Sequence, residues 1–265
     1  MGLIMKYKLI ASDMDGTLFD ESYQISSENK DAIKRAIENG VFFVLSTGRP
    51  RQAVEKYIKE LSLEAFPIII FNGATVLIGD ETIYNLTLDD NLSEMVVREG
   101  RRRNTDMVCW SNNRFYAERD CEYVQKYKNI PNIEPIFVDD LTKVKEITKI
   151  VWFNPPIVTA KYHKELSEKF KGQLNVLPSR VDFLEFFNKD CSKAVALDII
   201  GKRLGIKPSE MIAIGDGFND LAMLEFAGLG VAMENAPKEV KEKADLVTLS
   251  CKNNGVKALI DRFLV

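Results

Sequence analysis

The chain has 265 residues, of which 46% are hydrophobic and 28% are charged, and its formal net charge at neutral pH is −3. This composition is typical of a globular protein and excludes a disordered or fibrous chain. The negative charge argues against non-specific nucleic-acid binding, which requires a basic face that displaces counterions from phosphates. A protein of this charge that handles phosphate must therefore concentrate positive charge locally, through a metal ion or a few basic side chains.

The cysteines and the histidine restrict the chemistry further. Four cysteines are scattered without a C-x-x-C spacing, which favours reduced thiols over a disulfide framework or a zinc site. The sequence shows no signal-peptide pattern and no apolar stretch of about 18 residues, so we expect a soluble, cytoplasmic protein without membrane partners. The single histidine, His163, lies in a charged segment, so any catalysis must use carboxylates, hydroxyls and lysine.

The first segment of the chain alternates buried strands with amphipathic helices. The pattern predicts strands at 6–12, 41–46 and 67–72 and helices at 26–39 and 50–61. Short apolar strands separated by helices imply a parallel sheet that is covered on both faces.

The last segment repeats this alternation and the middle segment does not. In the last segment we expect helices at 192–204, 218–227, 237–243 and 254–263, and strands at 211–215, 229–233 and 246–249. In the middle segment we expect strands at 105–111, 114–119, 147–153, 174–177 and 182–187, and helices at 90–103, 120–127 and 158–170. Asn112 and Asn113 form a plausible hairpin turn between the first two of these strands.

These patterns predict an α/β fold with two domains. A Rossmann-like, doubly wound parallel sheet would be formed by residues 1–85 and 189–265. An α+β domain, residues 86–188, would be inserted into it.

Two carboxylates directly follow the first predicted strand, in Asp13-Met-Asp-Gly-Thr17. The spacing of Asp13 and Asp15 places both on one side of an extended backbone, and Gly16 permits a sharp turn. Adjacent carboxylates repel each other unless a cation lies between them, and Mg²⁺ would be such a cation. An acidic turn is the alternative. A calcium loop of the EF-hand type is disfavoured because the glycine is the fourth residue rather than the sixth.

Two further motifs follow predicted strands, and a lysine begins a predicted helix. Ser46-Thr47-Gly48-Arg49 can hold a phosphate through a hydroxyl and backbone N–H groups, although an ordinary helix cap explains it equally well. Asp216, Asn219 and Asp220 lie together in G-D-G-F-N-D, where metal binding and helix capping are both plausible. A single lysine such as Lys193 is usually a solvated surface charge, so it is a candidate site residue only because the other motifs are present. Ligands of open α/β sheets bind at the carboxyl ends of the strands, where three of these motifs lie.

In this order the motifs D-x-D-G-T, S-T-G-R, a downstream lysine and G-D-x-x-N-D resemble those of the haloacid dehalogenase superfamily of phosphohydrolases. Their spacing looks like the Cof-type branch, whose large α/β cap is inserted between the second and third motifs. Phe71-Asn-Gly-Ala74 and Val231-Ala-Met-Glu-Asn-Ala236 also look like that branch. The resemblance covers the whole chain, but residues 86–188 match it more by size and position than by motif.

The resemblance implies roles for the motif residues. Asp13 would be the nucleophile that forms an aspartyl phosphate, and Asp15 would be the general acid and base. The other implied catalytic residues are Thr47 and Lys193; Ser46 remains an alternative to Thr47. The implied phosphate- or substrate-binding residues are Met14, through its backbone N–H, and Thr47, Gly48, Arg49, Asn72, Lys193 and Asn219. The implied metal-binding residues are Asp13, Asp15, through its carbonyl, Asp216, and Asp220, through the waters of the metal.

The resemblance also implies a Mg²⁺-dependent phosphatase that hydrolyses small phosphorylated metabolites. Sugar phosphates are the expected substrates, with flavin or pyridoxal phosphates as alternatives. A phosphomutase acting on a sugar phosphate, or a non-catalytic module that binds phosphorylated metabolites, would carry similar motifs. Arg180 and Glu185 are candidate substrate contacts, although surface or packing roles are more typical of such residues. Whether the protein is a monomer or a weak dimer stays open.

Overall fold

The computed structural model describes residues 6–20 and 22–263. The chain divides into two compact units. The first unit, called here the core unit, comprises Met1–Gly48, Lys56–Tyr84 and Ser192–Val265. The second, called here the inserted unit, comprises Arg49–Glu55 and Asn85–Cys191.

The strands and helices follow one another in an α/β order. The strands are β1 (Leu9–Ser12), β2 (Phe42–Ser46), β3 (Pro67–Ile70), β4 (Thr75–Ile78), β5 (Glu81–Asn85), β6 (Asp106–Ser111), β7 (Arg114–Ala117), β8 (Ile136–Phe137), β9 (Ile147–Phe153), β10 (Leu174–Arg180), β11 (Phe183–Asn188), β12 (Met211–Gly215), β13 (Leu229–Ala232) and β14 (Leu246–Val247). The α-helices are α1 (Ser27–Glu38), α2 (Arg51–Glu60), α3 (Asp90–Arg102), α4 (Glu122–Tyr127), α5 (Pro156–Lys169), α6 (Lys193–Leu204), α7 (Leu221–Phe226), α8 (Lys238–Lys241) and α9 (Gly255–Phe263).

Among the residues that the structure describes, the sheet of the core unit has eight strands in the order β14-β13-β12-β1-β2-β3-β4-β5. The pairs from β14 to β3 are parallel, as the alternation of strands and helices predicts. The pair β3–β4 is antiparallel, so the predicted parallel sheet carries an antiparallel edge that the sequence pattern did not indicate. Strands β4 and β5 were also absent from the sequence prediction.

The chain reverses after β3 through a short 3₁₀ turn at Phe71–Gly73. The expected strand at 67–72 therefore ends at Ile70. Phe71, Asn72 and Gly73 have φ angles of 52°, 58° and 98°, which no strand residue adopts. This left-handed turn carries the chain back along β3 and forms β4.

Strand β1 lies between β12 and β2, and its four residues are fully buried. Leu9 pairs with Met211 on one side and with Phe42 on the other. Apolar residues of β1 and β2 pack against α6 in the hydrophobic core; this cluster includes Leu9, Ala11, Val44, Ala196, Leu197 and Ile200. The register sets the carboxyl ends of the three strands side by side.

Helix boundaries in the core unit follow local capping signals. The Ser26 side chain accepts a hydrogen bond from the Asn29 N–H at the start of α1, close to the predicted start of that helix. Ser192 caps α6 by accepting from the Ala194 N–H, and α6 ends at Gly205, whose φ is 68°. The predicted helix at 218–227 begins with a 3₁₀ turn, Phe218–Asp220, before α7.

The sheet of the inserted unit has six strands in the order β10-β11-β9-β6-β7-β8. The pairs β10–β11, β11–β9, β9–β6 and β6–β7 are antiparallel, and β7–β8 is parallel. Asn112 and Asn113 both have positive φ in the predicted hairpin turn, which is confirmed. Trp152 of β9 packs with residues of α3 and α5 in the core of this unit.

The candidate substrate contacts predicted in this unit have local partners. Glu185 is buried and its Oε1 lies 2.9 Å from Nζ of Lys149, which is also buried. The Arg180 guanidinium lies 4.8 Å from the centre of the Phe183 ring.

Within residues 6–20 and 22–263, no helix has the length and apolar character needed to cross a membrane.

Candidate active site

The motif residues of the core unit begin where the central strands end. The Asp13 N–H donates to the Ile214 carbonyl over 2.9 Å and continues the pairing of β1 with β12 by one residue. The Thr47 N–H donates to the Ile69 carbonyl over 2.9 Å and likewise extends the contact of β2 with β3. Both residues therefore take their positions from the sheet rather than from flexible loops.

Lys193 joins three of the motifs. Its Nζ donates to Asp13 Oδ1 over 2.6 Å, to Asp220 Oδ1 over 2.6 Å and to the Ser46 carbonyl over 3.0 Å. The residue is only 1% exposed, although an ammonium group is rarely buried without partners. Since the three donors of the ammonium match these three acceptors, the charge is buried with its hydrogen bonds satisfied.

The charges of this cluster shift one another's pKa values. Burial alone lowers the pKa of Lys193, but the Asp13 and Asp220 carboxylates outweigh it and hold that pKa above its ordinary value. Burial and the neighbouring Asp220 raise the pKa of Asp13 well above its ordinary value, against the opposing effect of Lys193. Burial and Asp220 together therefore outweigh the ammonium group at Asp13, and a cation beside these carboxylates would offset their negative charge.

Asp216 is half-buried beside the turn that follows Asp13. Burial, with a smaller effect from Asp220, raises the pKa of Asp216 to about 6. Its Oδ1 accepts a hydrogen bond from Thr17 Oγ1 over 3.2 Å. Gly16 has a φ of 78°, and a Cβ at this position would lie 2.3 Å from Asp216 Oδ2. Only glycine lets the turn and the carboxylate approach each other this closely.

Asp220 orders its own loop. Its Oδ2 accepts from the N–H groups of Asp216 and Gly217 over 3.0 and 2.8 Å, while its Oδ1 accepts from Lys193. Both carboxylate oxygens are thus already engaged. Asp220 therefore accepts backbone hydrogen bonds at the start of its helical turn, as the capping interpretation predicts. It also lies among the carboxylates that could bind a metal.

The carboxylates fit a divalent cation. Asp13, Asp216 and Asp220 each offer an oxygen, and these oxygens all lie within 4.8 Å of one another. Carboxylate oxygens are the ligands that a hard cation such as Mg²⁺ prefers. The Asp220 carboxylate accepts three hydrogen bonds of 2.6 to 3.0 Å, whereas those to Asp216 are longer, at 3.2 and 3.5 Å. Asp13 and Asp216 are therefore the better candidates for direct ligands.

The predicted phosphate-binding loop contacts Asn72 and, through it, Asn219. The Asn72 N–H donates to the Thr47 carbonyl over 2.9 Å, and the Asn72 side chain lies against Gly48. Asn219 Nδ2 donates to Asn72 Oδ1 over 3.1 Å. The left-handed φ of Asn72 is one that asparagine tolerates better than most residues. Residues from three motifs are therefore joined at this side of the site.

The remaining predicted residues are placed differently. The Asp15 side chain is exposed and is not part of the carboxylate cluster described above. Met14 has a fully buried side chain, which agrees with the expectation that only its backbone N–H would contact a ligand. Arg49 is a half-buried residue of the inserted unit. Ser46 and Thr47 are both fully buried, and among the described residues Ser46 Oγ has no hydrogen-bond partner.

Sequence reasoning missed three residues that shape the site. Thr17 was part of a recognised motif but was given no role, although its hydroxyl holds Asp216. Gly73 lies against the start of α6, where a Cβ would be 2.2 Å from the Ser192 carbonyl oxygen. Asn235 Nδ2 donates to the Gly16 carbonyl over 2.8 Å. For Gly73 and Asn235 the available signal was their place in segments that resemble the Cof-type branch.

Comparisons with known proteins agree with the fold and with the motifs. The sequence profile of the haloacid dehalogenase-like hydrolases matches residues 10–260. YxeH of Bacillus subtilis (strain 168) is 32% identical over 98% of this chain and 99% of its own. The 5-amino-6-(5-phospho-D-ribitylamino)uracil phosphatase YwtE of the same organism is 30% identical over 97% of this chain and 98% of its own.

A solved structure gives the same result. The crystal structure of a haloacid dehalogenase-like hydrolase from Bacteroides thetaiotaomicron matches with a TM-score of 0.87 and 31% identity. The match covers 97% of this chain and 99% of that one. The chain therefore belongs to the haloacid dehalogenase-like hydrolases, in their Cof-type branch, and is a phosphoric monoester hydrolase.

Proposed function

We propose that this protein hydrolyses small phosphorylated metabolites, mainly sugar phosphates, through an aspartyl phosphate on Asp13 and with Mg²⁺ as its cofactor. The observation that carries the proposal is the contact of the buried Lys193 ammonium with both Asp13 and Asp220, next to the Asp216 carboxylate. This arrangement places a fixed positive charge beside the nucleophile, as phosphoryl transfer requires.

Asp13 and Asp216 would hold the Mg²⁺, with Asp220 acting on its waters. Bound there, the ion would offset the negative charge of the carboxylates and of the phosphate. Lys193 adds a fixed positive charge at Asp13 Oδ1. The other Asp13 oxygen can then face the substrate while the carboxylate stays oriented.

The reaction has two steps on the residues of the chain. First, an Asp13 oxygen attacks phosphorus, the bond from phosphorus to the ester oxygen breaks, and Asp15 gives its proton to that oxygen. Second, Asp15 takes a proton from water, the water oxygen attacks phosphorus, and the bond to Asp13 breaks. The products are an alcohol and inorganic phosphate, and both carboxyl groups return to their starting states. The exposed Asp15 side chain supports its contact with a substrate.

The substrate class rests on chemical likeness. The name of YwtE gives 5-amino-6-(5-phospho-D-ribitylamino)uracil as its substrate, whose phosphate is carried by a polyol chain. We propose that residues 86–188 form the cap that selects the organic part of the substrate. The division of the chain into two units supports a separate domain for this task.

A panel of phosphorylated metabolites tests the proposal. Sugar phosphates, polyol phosphates, flavin mononucleotide and pyridoxal phosphate are incubated with the full chain and Mg²⁺, and released phosphate is measured. We expect release from the sugar and polyol phosphates, and its loss in Asp13→Asn, whose amide cannot form the acyl phosphate. Unchanged release by that variant would contradict the nucleophile.

A phosphomutase is the second candidate, because the same site could return the phosphoryl group to another hydroxyl. A phosphomutase would convert the substrate into an isomeric phosphate ester and would release no inorganic phosphate. The ratio of inorganic phosphate to consumed ester, followed in the same reactions, separates the two functions.

A further inference from the structure

Asn235 connects three segments around the carboxylates. It follows β13, and its Nδ2 donates to the Gly16 carbonyl over 2.8 Å and lies 3.5 Å from Asp216 Oδ2. Its Oδ1 accepts from the Cys251 N–H over 3.0 Å. One amide side chain thus contacts the turn after Asp13, the Asp216 loop and the segment before α9.

The contacts of Asp216 show why this amide matters. Thr17 Oγ1 donates to one Asp216 oxygen, and Asn235 Nδ2 approaches the other. The Gly16 backbone lies so close to Asp216 Oδ2 that no Cβ fits between them. Asn235 therefore contacts both partners of this close approach, the carbonyl of Gly16 and the carboxylate of Asp216.

We propose that Asn235 is a positioning residue for the divalent-cation site: it holds the Asp216 carboxylate and the Gly16 turn in the arrangement that the cation requires. This inference rests on the proposed function, which places Mg²⁺ at Asp13 and Asp216. A carboxylate whose orientation is already fixed loses less freedom when it binds a cation. Partners that orient metal ligands in this way commonly change metal affinity by ~10- to 100-fold.

A purely structural role is the competing explanation, because Asn235 also fastens the segment that contains Cys251. The neighbouring Glu234 provides a matched control. Its Oε2 accepts from the Ser250 N–H over 3.2 Å, so it fastens the same segment. In the described part of the chain, the Glu234 side chain forms no hydrogen bond with Gly16 or Asp216. Asn235 and Glu234 are both exposed, so neither substitution opens a cavity in the core.

The test compares Asn235→Ala with Glu234→Ala in the full chain. Each protein is stripped of metal with a chelator, and Mg²⁺ binding is measured by calorimetry. We expect Asn235→Ala to weaken Mg²⁺ binding by about 10-fold, and Glu234→Ala to change it by less than about twofold. The melting temperatures of the two metal-free variants should be similar, since each loses a tie to the same segment.

A kinetic readout completes the test. In Asn235→Ala, the Mg²⁺ concentration that gives half-maximal phosphate release should rise by about 10-fold, and excess Mg²⁺ should restore the wild-type maximal rate. Equal Mg²⁺ affinity in both variants would overturn the positioning role and leave the proposed function intact. Absence of Mg²⁺ binding by the wild-type chain would overturn both.

Discussion

The ammonium group of Lys193 offsets the negative charge of two buried carboxylates. A buried charge is costly unless its partners are close, and here both Asp13 and Asp220 lie at hydrogen-bonding distance. The same contacts leave the two carboxylates dependent on the lysine, because without it they would be buried as an uncompensated pair. The residue therefore affects both stability and the nucleophile.

We predict that Lys193→Ala lowers the free energy of unfolding by about 3–5 kcal/mol, because it leaves buried carboxylates without their ammonium partner. Phosphate release should also be lost. Urea unfolding followed by circular dichroism measures the first effect. Lys202→Ala is the control, since Lys202 forms an exposed pair with Asp198 on the same helix and should cost less than about 1 kcal/mol. Similar losses in the two variants would refute the prediction.

At the scale of elements, the left-handed turn at Phe71–Gly73 sets the position of α6. It brings the backbone of Gly73 against the Ser192 carbonyl and the Lys193 N–H, closer than any side chain permits. The start of α6, and with it the lysine, therefore depends on a glycine in a different part of the chain.

We predict that Gly73→Ala abolishes most phosphate release, because its Cβ would displace the start of α6. Gly40→Ala is the matched control: its φ is 84°, but a Cβ there would meet nothing within 4 Å. Both variants carry the strain of a left-handed alanine, about 1–2 kcal/mol. The assay is phosphate release together with thermal unfolding. Full activity of Gly73→Ala would show that α6 does not need this close approach.

A second contact between elements joins α3 to α5 in the inserted unit. Burial alone raises the pKa of Glu99, but hydrogen bonds from Arg102, Arg103 and Lys169 outweigh it and lower that pKa to about 2. Lys169 belongs to α5, so the Glu99 carboxylate ties the two helices together. Because the folded-state pKa lies below the unfolded one, the stabilisation is present above the unfolded pKa and is lost as the pH falls through the folded pKa.

We predict that Glu99→Gln lowers the free energy of unfolding at pH 7 by about 1–3 kcal/mol. The difference from the wild-type chain should shrink as the pH falls from about 5 towards 2, since the wild-type carboxylate becomes protonated in that range. Tryptophan fluorescence is a suitable probe because Trp110 and Trp152 both lie in the inserted unit. A difference that is independent of pH would contradict the ionic origin of the effect.

At the scale of the whole molecule, Mg²⁺ should govern activity. We predict that a chelator stops phosphate release and that added Mg²⁺ restores it, because the carboxylates outnumber the single ammonium at the site. Mg²⁺ should also raise the melting temperature, since a ligand that binds only the folded state stabilises it. Full activity after thorough chelation would contradict the cofactor.

The sequence predicted the repeating part of the fold well. Ser26 and Ser192 mark the starts of α1 and α6. Short apolar runs predict β1, β2 and β12, because strands that are buried on both faces are largely apolar. It did not predict β4 and β5. Their existence depends on three consecutive positive φ angles after Ile70, and such a turn is not visible in hydrophobic periodicity.

The site was predictable in its location but not in its contacts. Motifs that follow parallel strands belong at one sheet edge, and the contacts of Lys193 join Asp13, Ser46 and Asp220 there. The catalytic roles of these residues stay predictions. The hydrogen bonds from Thr17 and Asn235 to Asp216 could not be predicted from the sequence. They depend on how closely the Gly16 turn approaches that carboxylate.

The discontinuity of the core unit has a consequence for the order in which the protein can mature on the ribosome. Strand β1 acquires one neighbour, β2, early in translation, but its other neighbour, β12, emerges only after the nearly continuous inserted unit. Domains generally fold as units while the chain is being made. The nascent protein should therefore contain a finished inserted unit and an incomplete, catalytically inert sheet until β12 has been translated.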